Sequence, residues 1–363
     1  MEEGEEYDAT LAEVEVVKNM RWGGKTTYGY SKSMTEFLFW IEKSDIYSSM
    51  LDHSQGCLNS SFRASVLLAF CTQKWKYNKK TGQNELLRFS GLNRYRSALQ
   101  WYLKVQNLSL CKEDEEELSA YFRGTKKREQ REKQAGVRDM REGKAEIPFQ
   151  VYILLAQFWW SVEDYFSLLY LLLTWNLGCR TNNTEGIRLR HISWYEDALQ
   201  IEFGITKSNQ EGERLEKRLI FANSDNPFIC PVLALSVYLG LRTLPLAEDG
   251  KLFDGGNQAL RFQKSLTEAL SNAQVKDCLV SFRLSTDDIG AHSIRKGAGT
   301  YLSTGGTQGP NPVAVCLRMS WTLGNTKERY LFTSPSSDAY CGRILAGLDQ
   351  KTVRYEHCVK MQN

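Results

Sequence analysis

The most apolar stretch of the sequence runs from Phe166 to Trp175, and it limits the folds open to the chain. Its ten residues cover about half of a membrane span, and Glu163 and Asp164 precede it. A transmembrane segment is therefore not expected. Gly178 follows shortly and is expected to end the helix. We predict a soluble globular protein in which this stretch forms a very apolar helix.

Apolar residues also recur at helical spacing in the N-terminal third of the chain. Two helix faces are predicted: Met34, Phe37, Leu38 and Ile41, then Tyr95, Ala98, Leu99 and Tyr102. Further along, residues 192–193, 199–205 and 219–221 are predicted to be short strands among helices. The predicted fold class is mainly α with a small antiparallel β-sheet.

Changes in composition divide the 363 residues into segments. Four are predicted: an acidic flexible N-terminus (1–24), a small all-helical domain (25–122), a basic linker (123–146) and a second domain with a C-terminal tail (147–363). Residues 1–17 hold seven acidic residues and no basic one. Residues 123–144 hold nine basic and four acidic residues and almost no apolar ones, so burial cannot offset the entropy lost on ordering. This segment is either a solvated spacer or exposed helix face, or a basic strap that lies along phosphates.

Several classes of protein are disfavoured by missing motifs. The N-terminus has no basic or apolar segment of a secretory signal, and the nine cysteines include no CxxC pair, so reduced thiols in an intracellular protein are expected. The four histidines form no HxxxH or HExxH pair, and the phosphate-binding loop of nucleotide hydrolases is missing. We therefore expect no metal and no nucleotide cofactor.

His292 and Arg295 form the first candidate site. Residues three apart share one face of a helix, so both side chains can reach one place. Arginine offers a planar fork of donors that fits phosphate oxygens, and histidine exchanges a proton near neutral pH. A surface pair or a satisfied buried histidine has the same spacing. Gly297 and Gly299 follow, each costly inside a helix, which indicates either a close approach to the helix or simple packing glycines.

Three other places carry candidate residues. Arg180 directly follows the very apolar helix, so its charge must reach solvent, find an anion or interact with the helix dipole. Lys207 lies at the tip of a predicted strand pair, where a lysine is usually solvated. Trp321 and Tyr330 are nine residues apart, and core packing is the default for both rings.

Taken in order, these residues resemble the active-site pattern of the tyrosine recombinase (phage integrase) superfamily. The pattern is an arginine, a lysine 27 residues later in a β-turn, a His-x-x-Arg motif, a tryptophan and a tyrosine nine residues on. The resemblance covers roughly residues 25–345. The strings His292-Ser-Ile-Arg-Lys-Gly-Ala and Arg329-Tyr-Leu-Phe resemble the Crypton branch of eukaryotic mobile elements.

The resemblance implies a helical core-binding domain followed by a mixed α/β catalytic domain. It also implies metal-independent cleavage and rejoining of DNA through a 3′-phosphotyrosyl intermediate, for integration or excision of a mobile element, and no cofactor. The implied roles are phosphate binding by Arg180, Arg295, His292 and Trp321, protonation of the leaving oxygen by Lys207, and nucleophilic attack by Tyr330. Asn183 stands where the family often has a carboxylate, so the support around Arg180 differs.

Double-stranded DNA is the implied partner, together with self-association into a dimer or tetramer on DNA and, in a eukaryote, a nuclear location. The candidate phosphate contacts are Arg88, Arg94, Arg96, Lys126, Lys127 and Arg128. The apolar tail after Tyr330 fits docking on a neighbouring protomer or packing within its own chain. Two alternatives remain open: a decayed or domesticated recombinase that only binds DNA, and a type IB topoisomerase-like enzyme.

Overall fold

The computed structural model describes residues 23–78, 82–137, 143–203, 216–242, 249–304, 309–321 and 335–348. The chain divides into two compact units, residues 1–140 (unit 1) and 141–363 (unit 2). Nearly all of the predicted acidic N-terminus lies outside the described residues.

Unit 1 contains four helices and two short antiparallel strand pairs among its described residues. The helices are α1 (Gly24–Glu42), α2 (Ala64–Thr72), α3 (Phe89–Val105) and α4 (Lys112–Gln134). The strands are β1 (Leu51–Asp52), β2 (Cys57–Leu58), β3 (Trp75–Asn78) and β4 (Gln83–Leu86).

The two helix faces predicted from periodicity form the core of unit 1. Phe37 and Ile41 of α1 are fully buried, as are Ala98 and Leu99 of α3. The ring of Phe37 lies 5.1 Å from that of Phe70 on α2, centroid to centroid. Apolar spacing alone predicts these buried faces, because the apolar side chains of one helix face are removed from water together when the helix packs.

The prediction that unit 1 is all-helical is wrong, because β1 pairs with β2 and β3 pairs with β4. These strands are two to four residues long. Segments so short carry almost no alternation by which a sequence can reveal them.

Residues 123–134, predicted as the start of a linker, lie in α4, which continues to Gln134; of the alternatives left open by the sequence, this is the helix face. Thr125, Glu129 and Lys133 recur every four residues on its buried face. The carboxylate of Glu129 accepts a hydrogen bond of 3.0 Å from the backbone N–H of Phe89, at the start of α3. Glu129 can thus be buried because its carboxylate satisfies a donor at the start of another helix.

Unit 2 contains nine helices and one three-stranded sheet among its described residues. Its helices are α5 (Phe149–Ser161), α6 (Tyr165–Leu177), α7 (Thr181–Glu185), α8 (Pro231–Gly240), α9 (Gln258–Ala269), α10 (Ala273–Ser281), α11 (Ala291–Thr304), α12 (Pro312–Arg318) and α13 (Pro335–Leu345). Its strands are β5 (Ile192–Tyr195), β6 (Ala198–Phe203) and β7 (Glu216–Phe221), antiparallel in the order β5-β6-β7.

Helix α6 is the centre of unit 2, as its composition predicts. Every residue from Phe166 to Leu177 is buried. Its Trp175 stacks on Tyr152 of α5, with centroids 4.3 Å apart. The mainly α fold with small antiparallel sheets is confirmed. None of the described helices is long and apolar enough to cross a membrane.

The described part of the C-terminal tail packs within its own chain. Ile344 and Leu345 of α13 are buried in the core of unit 2, and the indole N–H of Trp175 donates to the carbonyl oxygen of Leu345 at 3.1 Å. Self-association of the chain stays a prediction.

Candidate functional site

Arg180 emerges from the end of the buried helix α6. The helix ends at Gly178, whose φ of 57° is left-handed. A Cβ there would lie 2.6 Å from Sδ of Met319, so both the backbone and the packing require glycine. Gly178 is thus the C-cap of α6, and Arg180 instead precedes the first residue of α7. Its backbone leaves the core at a point where its side chain can turn toward α11.

His292 and Arg295 lie in the first turns of α11, three residues apart, as predicted. Arg295 is buried, with 5% of its surface exposed, whereas His292 remains accessible to solvent. Nη2 of Arg295 donates to the carbonyl oxygen of Met319, just after α12. The buried guanidinium therefore joins α11 to the segment that leads to Trp321.

Arg180, His292 and Arg295 come together in unit 2. Burial, then the charge of Arg180, lowers the pKa of Arg295 to about 10. Partial burial of the imidazole and the charges of Lys296, Arg295 and Arg180 lower the pKa of His292 below its ordinary value. Three positive groups around one imidazole keep it neutral near pH 7. The cluster is therefore a positively charged site in which the neutral imidazole of His292 can accept a proton.

One hydrogen-bond donor in this cluster has no acceptor among the described residues. Nη1 of Arg180 is buried and makes no hydrogen bond to any residue that the structure describes. A buried unsatisfied donor costs about 1–3 kcal/mol, and more when it is charged. Such a cost is offset when an anion enters and accepts from the free donor. The site is therefore suited to a phosphate or a similar anion.

A third arginine, Arg218 of β7, supports the segment before Trp321. Only 3% of Arg218 is exposed. Its Nη2 donates to the carbonyl oxygen of Leu317 and to Oγ of Ser320, both at 3.0 Å. Oγ of Ser320 in turn donates to Glu216 at 2.7 Å, and Ser320 has a left-handed φ of 46°. Strand β7 thus fixes the turn before Trp321; no feature of the sequence pointed to this support.

Trp321 packs against α11 at Gly299. A Cβ on Gly299 would lie 2.8 Å from the indole ring, and one on Gly297 would lie 2.3 Å from the carbonyl oxygen of Ile147. The two glycines therefore allow neighbouring groups of the same chain to approach α11 closely, which is the first of the two alternatives left open by the sequence. Trp321 remains 43% exposed, so part of its ring is open to a ligand.

Two of the six predicted catalytic residues, Lys207 and Tyr330, lie outside the described residues. Another nearby tyrosine, Tyr301, belongs to the core: its ring stacks on that of Phe149, with centroids 4.2 Å apart. Asn183, at the position that often carries a carboxylate in the resembling family, lies in α7.

The six predicted phosphate contacts lie on α3 and α4 of unit 1 or just before them. Arg94 and Arg96 diverge: Arg94 donates to Tyr95 beside α1, whereas Arg96 reaches Ser119 on α4 at 3.4 Å. The three predicted contacts on α4, which are Lys126, Lys127 and Arg128, are all exposed. The structure thus distributes these charges over two faces of the unit.

The chemistry offered by the cluster in unit 2 is that of donors and positive charge. Among the described residues, no three His, Cys, Asp or Glu side chains form a group that could hold a metal ion. The arrangement can bind an anionic oxygen at Arg180 and Arg295 and exchange a proton at His292.

No protein-family model matches the sequence, and no curated protein matches it. Solved structures do match its fold. A Tn1549 transposon integrase in complex with transposon right end DNA is 14% identical, with 89% of this chain and 95% of that chain covered and a TM-score of 0.50. The XerH site-specific recombinase bound to difH substrate is 12% identical, with coverages of 83% and 75% and a TM-score of 0.48. The first likeness shows a shared fold.

Proposed function

We propose that this chain, whose fold is that of the tyrosine recombinases, cleaves and rejoins DNA strands at specific sites through a 3′-phosphotyrosyl intermediate. Integration or excision of a mobile element, of Crypton type, is the biological role that we propose. Three groups support the chemistry from unit 2: Arg180, His292 and Arg295, which gather in one cationic cluster.

The observation that carries this proposal is the free donor of Arg180. Its buried Nη1 has no partner among the described residues, although Arg295 adds a second positive charge beside it. Two cations held together in the protein repel each other, and an anion between them reverses this cost. A phosphodiester supplies that anion, and its two non-bridging oxygens match two guanidinium forks.

The same donors fit the transition state better than the substrate. Attack on a phosphodiester adds negative charge to the phosphoryl oxygens, and preorganised donors at that position are each worth about 10²–10³ in rate. Arg180 and Arg295 hold these oxygens. Trp321, through its indole N–H, adds a donor from the exposed part of its ring.

The reaction itself needs a nucleophile and an acid. The oxygen of Tyr330 attacks phosphorus while the bond to the 5′-oxygen breaks, and the phenolic proton passes to the neutral imidazole of His292. Lys207 protonates the departing 5′-oxygen. A 5′-hydroxyl of another strand then reverses the step, so the bond energy is kept and strands are exchanged.

Unit 1 supplies DNA contacts in this proposal. The exposed bases of α4 and Arg88 and Arg94 neutralise phosphates, so affinity falls as salt rises. Self-association on DNA and a nuclear location in a eukaryotic host complete the proposal. Duplex DNA is the only substrate that it requires.

Covalent trapping tests the proposal. A library of nicked duplexes with randomised sequence around the nick is incubated with the protein, because loss of the short strand beyond the nick traps the cleaved state. Wild-type protein is expected to form an adduct that survives denaturation, and Tyr330→Phe to form none while it still binds DNA. Sequencing of the trapped DNA then gives the target site.

Tyr340→Phe is the matched control, because Tyr340 lies in the described helix α13 and should leave adduct formation unchanged. Adducts that persist in Tyr330→Phe would move the nucleophile to another residue. No adduct from any variant, with DNA binding intact, would favour a protein that only binds DNA.

A further inference from the structure

The β3–β4 hairpin of unit 1 presents two aromatic rings to solvent. Trp75 is 60% exposed and Tyr77 is 58% exposed. Side chains alternate along a strand, so the two rings share one face of the hairpin, while Lys76 lies on the other face opposite Glu85. Among the described strands the hairpin has no third partner, so neither of its edges is paired by another described strand.

The base of the hairpin is firmly attached to unit 1. The backbone N–H of Leu87 donates to the carbonyl oxygen of Lys74 at 2.8 Å. The ammonium of Lys74 pairs with Glu36 of α1 and lies 4.6 Å from the centre of the Phe70 ring. A two-stranded hairpin is only marginally stable alone, and this anchor holds its exposed rings at a defined place.

Charge indicates what these rings contact. Beyond Lys74, whose charge is paired with Glu36, residues 76–88 contain four basic residues and one acidic residue, Glu85. A basic segment with interleaved aromatic rings complements a polyanion: the ammonium groups neutralise phosphates, while the rings pack against sugars and bases. An apolar protein partner would gain nothing from the lysines.

The dimensions also fit duplex DNA. Two paired strands lie about 4.8 Å apart, and with side chains on both sides they fill a groove about 12 Å wide. The major groove admits a two-stranded ribbon of this kind.

We propose that the β3–β4 hairpin is a separate DNA-binding element that enters a groove of the duplex, with Trp75 and Tyr77 in contact with the DNA. This inference rests on the proposed function only for its substrate, duplex DNA. It adds a contact that helices α3 and α4 do not provide. Unit 1 would then bind DNA through aromatic rings as well as through basic side chains.

Binding of the full chain to a fluorescein-labelled duplex of mixed sequence tests the proposal. The double variant Trp75→Ala with Tyr77→Ala is expected to bind about tenfold more weakly at every salt concentration, because both rings lose their contact with the DNA. The slope of log affinity against log salt is expected to stay the same, because no charge is removed. Lys76→Gln is expected to reduce that slope by about one.

The matched control is the double variant Trp194→Ala with Tyr195→Ala on β5 of unit 2. Trp194 is 68% exposed and Tyr195 is 39% exposed, so the same ring types are removed from another surface. This variant is expected to bind like wild type. Thermal melts should coincide for all variants, because the substituted rings lie at the surface.

The outcomes separate the hairpin from the proposed function. Equal DNA affinity of the Trp75/Tyr77 variant and wild type, in a protein that still forms adducts, overturns the hairpin proposal alone. A wild-type protein that binds no duplex overturns both. A variant that loses self-association in sedimentation but keeps its DNA affinity would make the hairpin a surface for a second copy, which also overturns the proposal.

Discussion

Arg318 and Asp338 form an ion pair with Nη1 and Oδ2 2.6 Å apart, and at most 3% of either side chain is exposed. Oδ2 of Asp338 also accepts from the backbone N–H of Leu219 at 2.7 Å, and Nη2 of Arg318 donates to the carbonyl oxygen of Leu219 at 2.8 Å. The pair therefore fastens α13 to α12 and β7. The segment that carries Tyr330 starts after Trp321 and ends at α13, so both of its ends are held within unit 2.

Asp338→Ala is expected to lower the free energy of unfolding of unit 2 by about 3–5 kcal/mol, because it leaves the guanidinium of Arg318 buried without its partner. Urea denaturation followed by tryptophan fluorescence measures this change.

The matched control is Asp197→Ala, which removes the partner of an arginine on α13, the helix that carries Asp338. Arg343 of α13 lies 2.5 Å from Asp197, but 54% of the Asp197 side chain is exposed. Solvent screens such a pair, so the expected loss is about 1 kcal/mol or less. Equal losses in the free energy of unfolding for the two variants would contradict the larger contribution expected of the buried pair.

Arg180→Met is expected to stabilise the protein in phosphate-free buffer by about 1 kcal/mol, because it removes a buried donor that has no partner among the described residues. Inorganic phosphate should raise the melting temperature of wild type and leave this variant unchanged. Scanning fluorimetry at several phosphate concentrations measures both effects.

Arg190→Met serves as the control, since Arg190 is exposed and pairs with Asp249. It should keep the response to phosphate. A phosphate response that survives in Arg180→Met would show that the anion binds elsewhere.

Local patterns were enough to predict the parts of the fold that repeat along the chain. The buried faces of α1 and α3 follow from apolar spacing, and the end of α6 follows from Gly178. The spacing of His292 and Arg295 predicted one shared face, and the structure adds Arg180 to them.

Features that depend on partners far away in sequence could not be predicted. From the sequence alone Glu129 is expected to be a solvated charge, because its hydrogen-bond donor, the backbone N–H of Phe89, lies on another helix. The support of Ser320 by Glu216 joins residues 104 apart in the chain. Gly297 and Gly299 left both a close approach and simple packing open, because the neighbours of α11 there, Ile147 and Trp321, are set by the tertiary structure.

The stability of unit 2 is expected to fall in acid through His292. Partial burial and the charges of Lys296, Arg295 and Arg180 lower its pKa in the folded state. The unfolded chain binds its proton near pH 6.5, before the folded chain does, so stability is lost as pH falls from about 6.5 through the folded pKa. NMR titration of the imidazole checks the direction.

Lys296→Gln should raise the pKa of His292, because it removes one of the neighbouring positive charges. Lys264→Gln on α9 is the control and should leave the pKa of His292 unchanged. Phosphate should raise it as well, by adding negative charge to the cluster. A pKa at or above the ordinary histidine value in phosphate-free wild type would contradict the proposed neutral acceptor.

Ser320→Gly is expected to slow adduct formation about tenfold without weakening DNA binding. Glycine accepts the left-handed backbone of residue 320, but the variant lacks the hydroxyl that bonds to Glu216 and Arg218, so the turn before Trp321 loses its position. Single-turnover trapping gives the rate. Asn257→Gly, at another left-handed position in unit 2, should leave the rate unchanged, and equal rates in all three proteins would remove Ser320 from positioning.

Lys207→Ala is expected to slow cleavage by about 10²–10⁴ when the leaving atom is oxygen, because a general acid contributes that much. When a sulfur atom replaces the bridging 5′-oxygen, the leaving group departs without a proton, so the variant should cleave at nearly the wild-type rate. Lys217→Ala is the control, since Lys217 of β7 pairs with Glu202 at 2.9 Å and has no part in the reaction. It should cleave both substrates normally. Equal slowing of Lys207→Ala on oxygen and sulfur substrates would assign the proton to another group.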